Sequence, residues 1–319
     1  MSDCQFCSVL SKQNGEDPIG TAIPMDVLIV VELPQPWTPE RLMSEPMGQF
    51  LIGLHASQEK QGIILMPTLI APDSDYSPPG YARVLYYQRP SSAFAQYRKQ
   101  EFLVPIEQQL ALIKALTVEP EYLEQFELYR QQNHPARDIM VCTHGNVDVA
   151  CSRFGFPIYD QLRKNYTSEH LRVWRCSHFG GHQFAPTLLD MPTGQFWGHL
   201  EADMLDTLIY RQGEVTPLRP FYRGWAGLSK FGQIVERELW MQHGWKWLDY
   251  LRTEQVLAQD TVNDKGTSDW VELRLEFMSS DGQVRGDYDA RVEVKGTVTT
   301  MHNSGGEPVE IKQYQVIPK

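Results

Sequence analysis

The sequence predicts an α/β protein that ends in a small antiparallel β meander. The chain has 319 residues, of which 42% are hydrophobic and 22% charged, and this composition is typical of a globular protein. Strand-length and helix-length patterns alternate through most of the chain, whereas a period-two alternation begins near Trp270. At about 150 residues per domain, this length predicts two domains, to which the meander is added.

Residues 1–20 are predicted to form an irregular N-terminal arm, and residues 21–125 a first α/β domain. The clearest strand is Val27–Val31, a wholly apolar and mostly β-branched run between prolines, as expected for a buried strand. The other segments predicted here are strands at Gly62–Met66 and Ala82–Tyr87, a helix within Met47–His55, and a helix that opens at Pro105.

The polar stretch 130–137 is the predicted boundary, and residues 135–250 form the second predicted domain. Its elements follow the order strand, helix, strand, hairpin, helix, which is the order of a thioredoxin-like domain. They are expected at Ile139–Val141, from Pro157 onwards, at Leu171–Trp174, at Phe184–Leu189 with Gln195–Gly198, and at Ala202–Tyr210. The first domain has a similar order, so the sequence predicts a thioredoxin-like domain preceded by a second one.

Residues 255–319 are predicted to form a C-terminal β appendage. Apolar residues alternate from Val271 to Phe277 and again from Tyr288 to Val294, and a third strand is expected at Val309–Ile317. Polar residues fill the alternate positions, which is typical of a sheet with one face in water.

The net charge of −11 makes nucleic acid and anionic membranes unfavourable partners, since no stretch is dense in Lys or Arg. A basic protein is a more favourable partner. The sequence has no signal-peptide pattern and no apolar run of about 18 residues. Its five cysteines are an odd number, which argues against a disulfide framework. We therefore expect a cytoplasmic protein.

The most informative motif is a pair of cysteines followed by a pair of histidines. Eight residues separate Cys142 from Cys151, and three separate His178 from His182. Thiolate and imidazole ligands suit zinc or an iron–sulfur cluster, and the long spacing between the cysteines weighs against a zinc knuckle. Phe179, Gly180 and Gly181 separate the two histidines. The glycines allow a tight loop that directs both imidazoles inward.

Other residues near this motif have open roles. His144 and Asp148 lie between the cysteines, where they hydrogen-bond a cluster atom, relay a proton, or shape the loop through local main-chain bonds. Cys176 is interpreted as a buried thiol beside the site rather than a ligand. Cys4 and Cys7 form a CxxC pair in the predicted arm, outside any βα context that would favour a redox role.

Two cysteine and two histidine ligands would change the charge of a two-iron cluster. Two ferric ions, two sulfides, two thiolates and two neutral imidazoles sum to zero, whereas four thiolates give −2. An electron adds more easily to the neutral cluster, so its potential is higher than that of a four-cysteine ferredoxin. An imidazole that binds through one nitrogen still carries a titratable proton on the other, which predicts proton-coupled electron uptake.

The two motifs resemble the sucrase/ferredoxin-like family. The resemblance rests on two segments, Val141-Cys-Thr-His-Gly-Asn-Val-Asp-Val-Ala-Cys151 and Trp174-Arg-Cys-Ser-His-Phe-Gly-Gly-His-Gln-Phe-Ala185, and extends through Phe6-Cys-Ser8, Gly20-Thr-Ala22 and Glu32-Leu-Pro34. It covers about residues 4–240. The resemblance implies a thioredoxin-like ferredoxin domain with a [2Fe-2S] cluster held by Cys142, Cys151, His178 and His182.

The function expected from these residues is one-electron transfer to and from a redox protein, as a carrier rather than a self-contained enzyme. Two other classes of protein remain open. One is a thiol–disulfide oxidoreductase of the thioredoxin class, which would use Cys4 with Cys7 or Cys142 with Cys151. The other is a zinc-stabilised binding module without redox chemistry.

Overall fold

The computed structural model describes residues 5–132, 137–260 and 268–319. These residues form a large mixed sheet of nine strands and a separate antiparallel sheet of four. The strands are β1 Val27–Glu32, β2 Leu65–Ile70, β3 Tyr81–Gln88, β4 Arg98–Pro105, β5 Arg137–Cys142, β6 Leu171–Cys176, β7 Leu188–Met191, β8 Gln195–Trp197, β9 Tyr222–Trp225, β10 Leu251–Gln259, β11 Trp270–Met278, β12 Arg285–Met301 and β13 Pro308–Pro318.

The described residues also form seven α-helices. They are α1 Cys7–Gln13, α2 Pro39–Ser44, α3 Pro46–Lys60, α4 Gln109–Thr117, α5 Val149–Asn165, α6 Leu205–Tyr210 and α7 Lys230–His243. Short 3₁₀ segments occupy Ile106–Gln108, Pro120–Tyr129, His182–Phe184, Ala202–Met204, Thr216–Phe221 and Gly244–Asp249. No helix among the described residues has the length and apolar character needed to cross a membrane.

The two halves of the large sheet repeat one internal order. The strands follow the order β4-β3-β1-β2-β6-β5-β7-β8-β9. β1 is parallel to β2, β3 is antiparallel to β1, and β4 is antiparallel to β3. The same three relationships link β5 to β6, β7 to β5, and β8 to β7. Ile70 of β2 pairs with Cys176 of β6, so one sheet runs through both halves.

The large sheet is strongly bent, as shown by contacts between strands that are far apart in it. Four strands separate β4 from β5, a spacing of about 24 Å in a flat sheet. Yet Lys99 of β4 donates to Asp138 of β5 at 2.6 Å, and Glu101 accepts from Arg172 of β6 at 2.7 Å. The bend therefore closes a buried charged network between the two halves.

β1 is buried on both faces, as its unbroken apolar sequence predicts. Val27, Ile29 and Val31 face one core with α3 and α4, whereas Leu28 and Val30 face the larger core that extends through the second half of the sheet. The alternation follows directly from the two-residue repeat of a strand.

The predicted C-terminal meander is confirmed as an antiparallel sheet in the order β10-β11-β12-β13. It has one strand more than the sequence predicted, since β10 shows no regular apolar alternation. Helix α7 packs against β9 of the large sheet and against β11, β12 and β13. Ser229 caps this helix by accepting from the Gly232 amide, and the helix joins the two sheets through buried residues.

The expectation of irregular structure throughout residues 1–20 is corrected, because Cys7–Gln13 form α1. The first turn of α1 is stabilised by tertiary packing: Cys7 belongs to a buried cluster with Ala150, Ala185 and Met301, which come from distant parts of the chain. Cys4 and part of the predicted boundary, residues 133–136, lie outside the described residues.

Candidate metal centre

Cys142 and Cys151 lie on two elements that meet at one end of the large sheet. Cys142 is the last residue of β5, and Cys151 lies in the first turn of α5. The helix approaches the strand closely at Gly155, where a Cβ atom would lie 2.1 Å from the Cys142 carbonyl oxygen. Both thiols are buried, with 0% and 1% of their residue surfaces exposed.

The helix after Cys151 begins earlier than the sequence predicted. Pro157 was expected to open it, but α5 begins at Val149 and Pro157 lies inside it. Asp148 caps the helix by accepting from the Ala150 amide at 2.8 Å. This cap and the close packing at Gly155 outweigh the hydrogen bond that Pro157 cannot donate. Cys151 therefore lies at the positive end of a helix.

His178 completes a group of three possible metal ligands. Its Nδ1 atom lies 3.9 Å from the Cys142 sulfur and 3.8 Å from the Cys151 sulfur. The three ligand atoms all lie within 4.8 Å of one another. His178 follows β6, which is parallel to β5, so its loop leaves the sheet at the same end as Cys142.

The two thiols share a proton unequally. The Cys142 sulfur accepts hydrogen bonds from the Cys151 thiol and from His178, and these hold the pKa of Cys142 well below its usual value. The Cys151 thiol donates to Cys142 and is buried, so its pKa is raised. One thiolate is thus already favoured in the pair, and thiolates are the form in which cysteine binds metals.

His182 lies beside this group but not within it. Its ring centroid is 5.2 Å from that of His178. Its nearest possible co-ligands are Cys7 and Asp148, with which it forms a second group whose ligand atoms lie within 4.8 Å. Its Nε2 atom bonds the main-chain carbonyl of His302, whereas Nδ1 is buried and has no partner among the described residues.

The two glycines between the histidines are required by the backbone and by a buried arginine. Gly180 and Gly181 have φ angles of 86° and 79°, in the left-handed region that favours glycine. A Cβ atom on Gly181 would lie 2.4 Å from the guanidinium carbon of Arg223. Arg223 donates to the Gly180 carbonyl at 3.0 Å, so the loop is fixed against β9.

His144 fixes the loop between the cysteines. Its Nε2 atom donates to the Trp37 carbonyl at 2.7 Å, and its Nδ1 atom accepts from the main-chain amide of His178 at 3.3 Å. Burial lowers the pKa of His144, which favours the neutral ring that these two bonds need. His144 therefore joins both ligand loops to the first half of the fold.

Asp148 joins the site to the C-terminal sheet. Besides capping α5, its carboxylate accepts from the main-chain amide and from the hydroxyl of Ser304, both at 2.7 Å. Ser304 also accepts from the Cys7 amide at 3.2 Å. The turn between β12 and β13 thus packs beside His182, which stays half-buried.

The two remaining described cysteines differ in their relation to the site. Cys176 is fully buried on β6, directly opposite Cys142 on β5, and belongs to neither group of possible ligands. Burial and the nearby Cys142 charge raise its pKa, which favours a neutral thiol. Cys7 lies in the second group, with Asp148 and His182, and burial raises its pKa to about 11.

Sequence reasoning missed Arg223, His302 and Ser304. Arg223 lies 41 residues after His182, whereas His302 and Ser304 lie more than 100 residues after His182. Their side chains follow no motif, because they reach the site only through the packing of β9 and the C-terminal sheet. The one available signal was a charged residue within the short apolar run Tyr222–Trp225.

The fold and these side chains define a mixed α/β protein with a buried cysteine–histidine group capable of binding a metal. The chain belongs to the sucrase/ferredoxin-like family, whose model matches residues 18–224, about two thirds of its length. Searches of curated proteins and of solved structures gave no significant match.

Proposed function

We propose that this protein transfers single electrons and binds a [2Fe-2S] cluster through Cys142, Cys151, His178 and His182. The observation that carries the proposal is the convergence of Cys142, Cys151 and His178, with the unpartnered Nδ1 atom of His182 beside them. The family assignment supports it, because both motifs lie within the matched residues.

The donor atoms fit such a cluster. Two sulfurs and an imidazole nitrogen face one another, and thiolate with imidazole is a ligand set suited to iron–sulfur chemistry. The bond from His182 to the His302 carbonyl requires the ring proton on Nε2, which leaves a lone pair on the buried Nδ1. Bound there, the cluster would supply a site that gains and loses one electron at a time.

The chain's own residues exclude water from one side of the site and leave the other side accessible. Both cysteines are buried, whereas His178 and His182 are half-buried. His182 holds its ring proton at Nε2 against a main-chain carbonyl, and electron transfer is coupled to proton transfer if this proton leaves on oxidation and returns on reduction. The histidine side is therefore the proposed approach for a redox partner, and the net charge of −11 favours a basic one.

We also propose that each half of the large sheet is a thioredoxin-like unit. The repeated order, with a parallel strand pair extended by two antiparallel strands, supports this assignment. The proposed cluster then lies where the first two strands of the second unit end, and the first unit supports its loops through Trp37 and His144. We place this carrier in the cytoplasm.

A thiol–disulfide oxidoreductase is the second candidate, favoured by the low pKa of Cys142 beside Cys151. Burial of both thiols argues against it, because a disulfide substrate must reach the attacking sulfur. Insulin reduction by metal-free protein tests this candidate directly. A zinc-stabilised module would instead yield colourless protein.

The deciding experiment is anaerobic purification with iron, sulfide and zinc analysis, followed by absorbance and EPR spectroscopy. We expect about two irons and two sulfides per chain and a paramagnetic signal after reduction. One zinc per chain in a colourless sample would overturn the proposal.

Cysteine substitutions of the histidines test the ligand set. His178→Cys and His182→Cys should each retain a cluster with a lower potential and a weaker pH dependence, because a thiolate adds negative charge and removes a titratable ring. His170→Cys, at an exposed position, is the control and should behave as the unsubstituted protein. An unchanged pH profile in both ligand variants would exclude the histidines as the site of proton-coupled electron uptake.

A further inference from the structure

Arg223 differs from the other buried arginines. Five arginines are buried among the described residues, and four of them pair with a carboxylate. The four pairs are Arg83–Glu101, Arg172–Asp138, Arg237–Asp17 and Arg252–Glu236. Within the described part of the chain, no carboxylate lies within ion-pair distance of Arg223, although only 1% of its surface is exposed.

Neutral oxygen atoms hold the guanidinium of Arg223 in place. It donates from Nε to the Thr21 hydroxyl at 3.0 Å, and from its two terminal nitrogens to the Gly180 carbonyl at 3.0 Å and the Thr21 carbonyl at 2.7 Å. The amides of residues 20–22 in turn bond the Arg223 carbonyl. These bonds fix the direction of the guanidinium, and the Phe184 and Phe196 rings lie 5.6 and 5.5 Å from it, but none of these groups supplies a negative charge.

The groups that interact most favourably with the charge of Arg223 are Cys151 and Cys142. Burial lowers the pKa of Arg223 and the cysteine pair partly opposes this, with a net value of about 10, so the group is protonated at neutral pH. The guanidinium also lies directly against Gly181, in the loop that carries both histidines. A buried cation without a counter-ion is costly, and an anionic group in the adjoining site offsets that cost.

We propose that Arg223 is the fixed cation of the metal centre, which favours its reduced form and so raises its midpoint potential. This inference rests on the proposed function. When a redox partner protein gives up one electron, the net charge of the cluster with its ligands falls from 0 to −1. Arg223 is pre-oriented by Thr21 and Gly180, so it stabilises the added charge without moving.

Two substitutions separate the charge of Arg223 from its hydrogen bonds. Arg223→Met removes the charge and keeps much of the length, whereas Arg223→Lys keeps the charge and loses the planar fork. Arg285→Met is the matched control, because Arg285 is exposed and lies at the opposite end of β12 from the site. The measurement is the midpoint potential of purified, iron-loaded protein at one pH, together with its iron content.

The expected result is a lower potential in Arg223→Met, a potential close to the original in Arg223→Lys, and no shift in Arg285→Met. If Arg223→Met fails to retain iron while Arg223→Lys retains it, the charge requirement is also supported. An unchanged potential in iron-loaded Arg223→Met, an equal shift in both variants, or loss of iron from both would overturn the inference. Unsubstituted protein without a [2Fe-2S] cluster would instead overturn the proposed function on which the inference depends.

Discussion

The Nε2 atom of His182 donates a hydrogen bond to the main-chain carbonyl of His302, 120 residues further along the chain. This bond attaches the turn between β12 and β13 to a proposed ligand. It also fixes the ring proton on Nε2 and leaves Nδ1 free to bind a metal. The C-terminal sheet is therefore part of the site, although it lies beyond the residues that match the family.

Ser304→Ala should weaken this attachment. The substitution removes the hydroxyl that donates to Asp148 and accepts from the Cys7 amide, and both lost partners lie in a partly buried region. We expect the free energy of unfolding to fall by about 1–3 kcal/mol and a chelator to remove iron faster. Urea denaturation and the rate of iron loss measure the two effects. Thr299→Ala is the control, because its exposed hydroxyl bonds Glu310 in the same hairpin; an equal effect there would contradict the prediction.

Gly181→Ala should be more damaging than a substitution of another glycine with the same backbone conformation. Gly62 has a φ angle of 75°, and a Cβ atom there would meet nothing within 4 Å. Gly62→Ala should therefore cost only about 1 kcal/mol of backbone strain. At Gly181, with φ at 79°, the added methyl group also displaces the Arg223 guanidinium. The thermal unfolding temperature and the iron content should both decrease more in Gly181→Ala than in Gly62→Ala. Equal decreases would show that the Arg223 side chain moves aside at little cost.

Cys176→Ala should retain iron, whereas Cys151→Ala should lose it. Cys176 is buried beside Cys142 but belongs to neither group of possible ligands. The cost of Cys176→Ala should be about 1 kcal/mol, from a small cavity in the core. Iron and sulfide analysis of both variants is the measurement. Loss of the cluster from Cys176→Ala would make Cys176 a ligand and require a different ligand set.

Asp138→Asn should destabilise the protein at neutral pH and make its stability less sensitive to acid. Asp138 is fully buried and accepts from Lys99, Arg172 and the Trp174 indole. Removing its charge leaves buried cations undercompensated, at a cost of about 3–5 kcal/mol. Urea denaturation at neutral pH measures this cost, and Asp160→Asn, at an exposed ion pair, is the control.

The acid dependence follows from the same network. Burial opposes the ionisation of Glu101 and Asp138, but the bonds and charges of Arg172 and Lys99 prevail and lower the pKa of both carboxyl groups, that of Glu101 to about 2. A lowered pKa in the folded state means that the stabilisation is complete above about pH 4.5 and is lost as the pH falls towards 2. Between pH 5 and pH 3, the original protein should therefore lose more stability than Asp138→Asn. If the two proteins lost equal stability between pH 5 and pH 3, the lowered pKa of Asp138 in the folded state would be contradicted.

Much of the secondary structure follows from local pattern, and the exceptions have identifiable causes. Val27–Val31 and the C-terminal alternation predict strands because burial imposes its period directly on the sequence. β4 was missed, since its charged residues Lys99 and Glu101 are taken out of water by ion pairs with Asp138 and Arg172 in the other half of the sheet. α1 was missed because its buried contacts come from distant parts of the chain.

The sequence by itself determined the family and the candidate ligand types, because two cysteines and two histidines occur in it at fixed spacings. Only the tertiary structure decided how these residues are placed: three possible ligands meet, His182 is turned towards His302, and Cys176 remains outside. Tertiary structure alone also brought Arg223 to the glycine loop and Ser304 to Asp148. The physical reason is that a motif records the residues of one loop, whereas buried charges and hydrogen bonds are satisfied by whichever parts of the chain the fold brings within 3 Å or so.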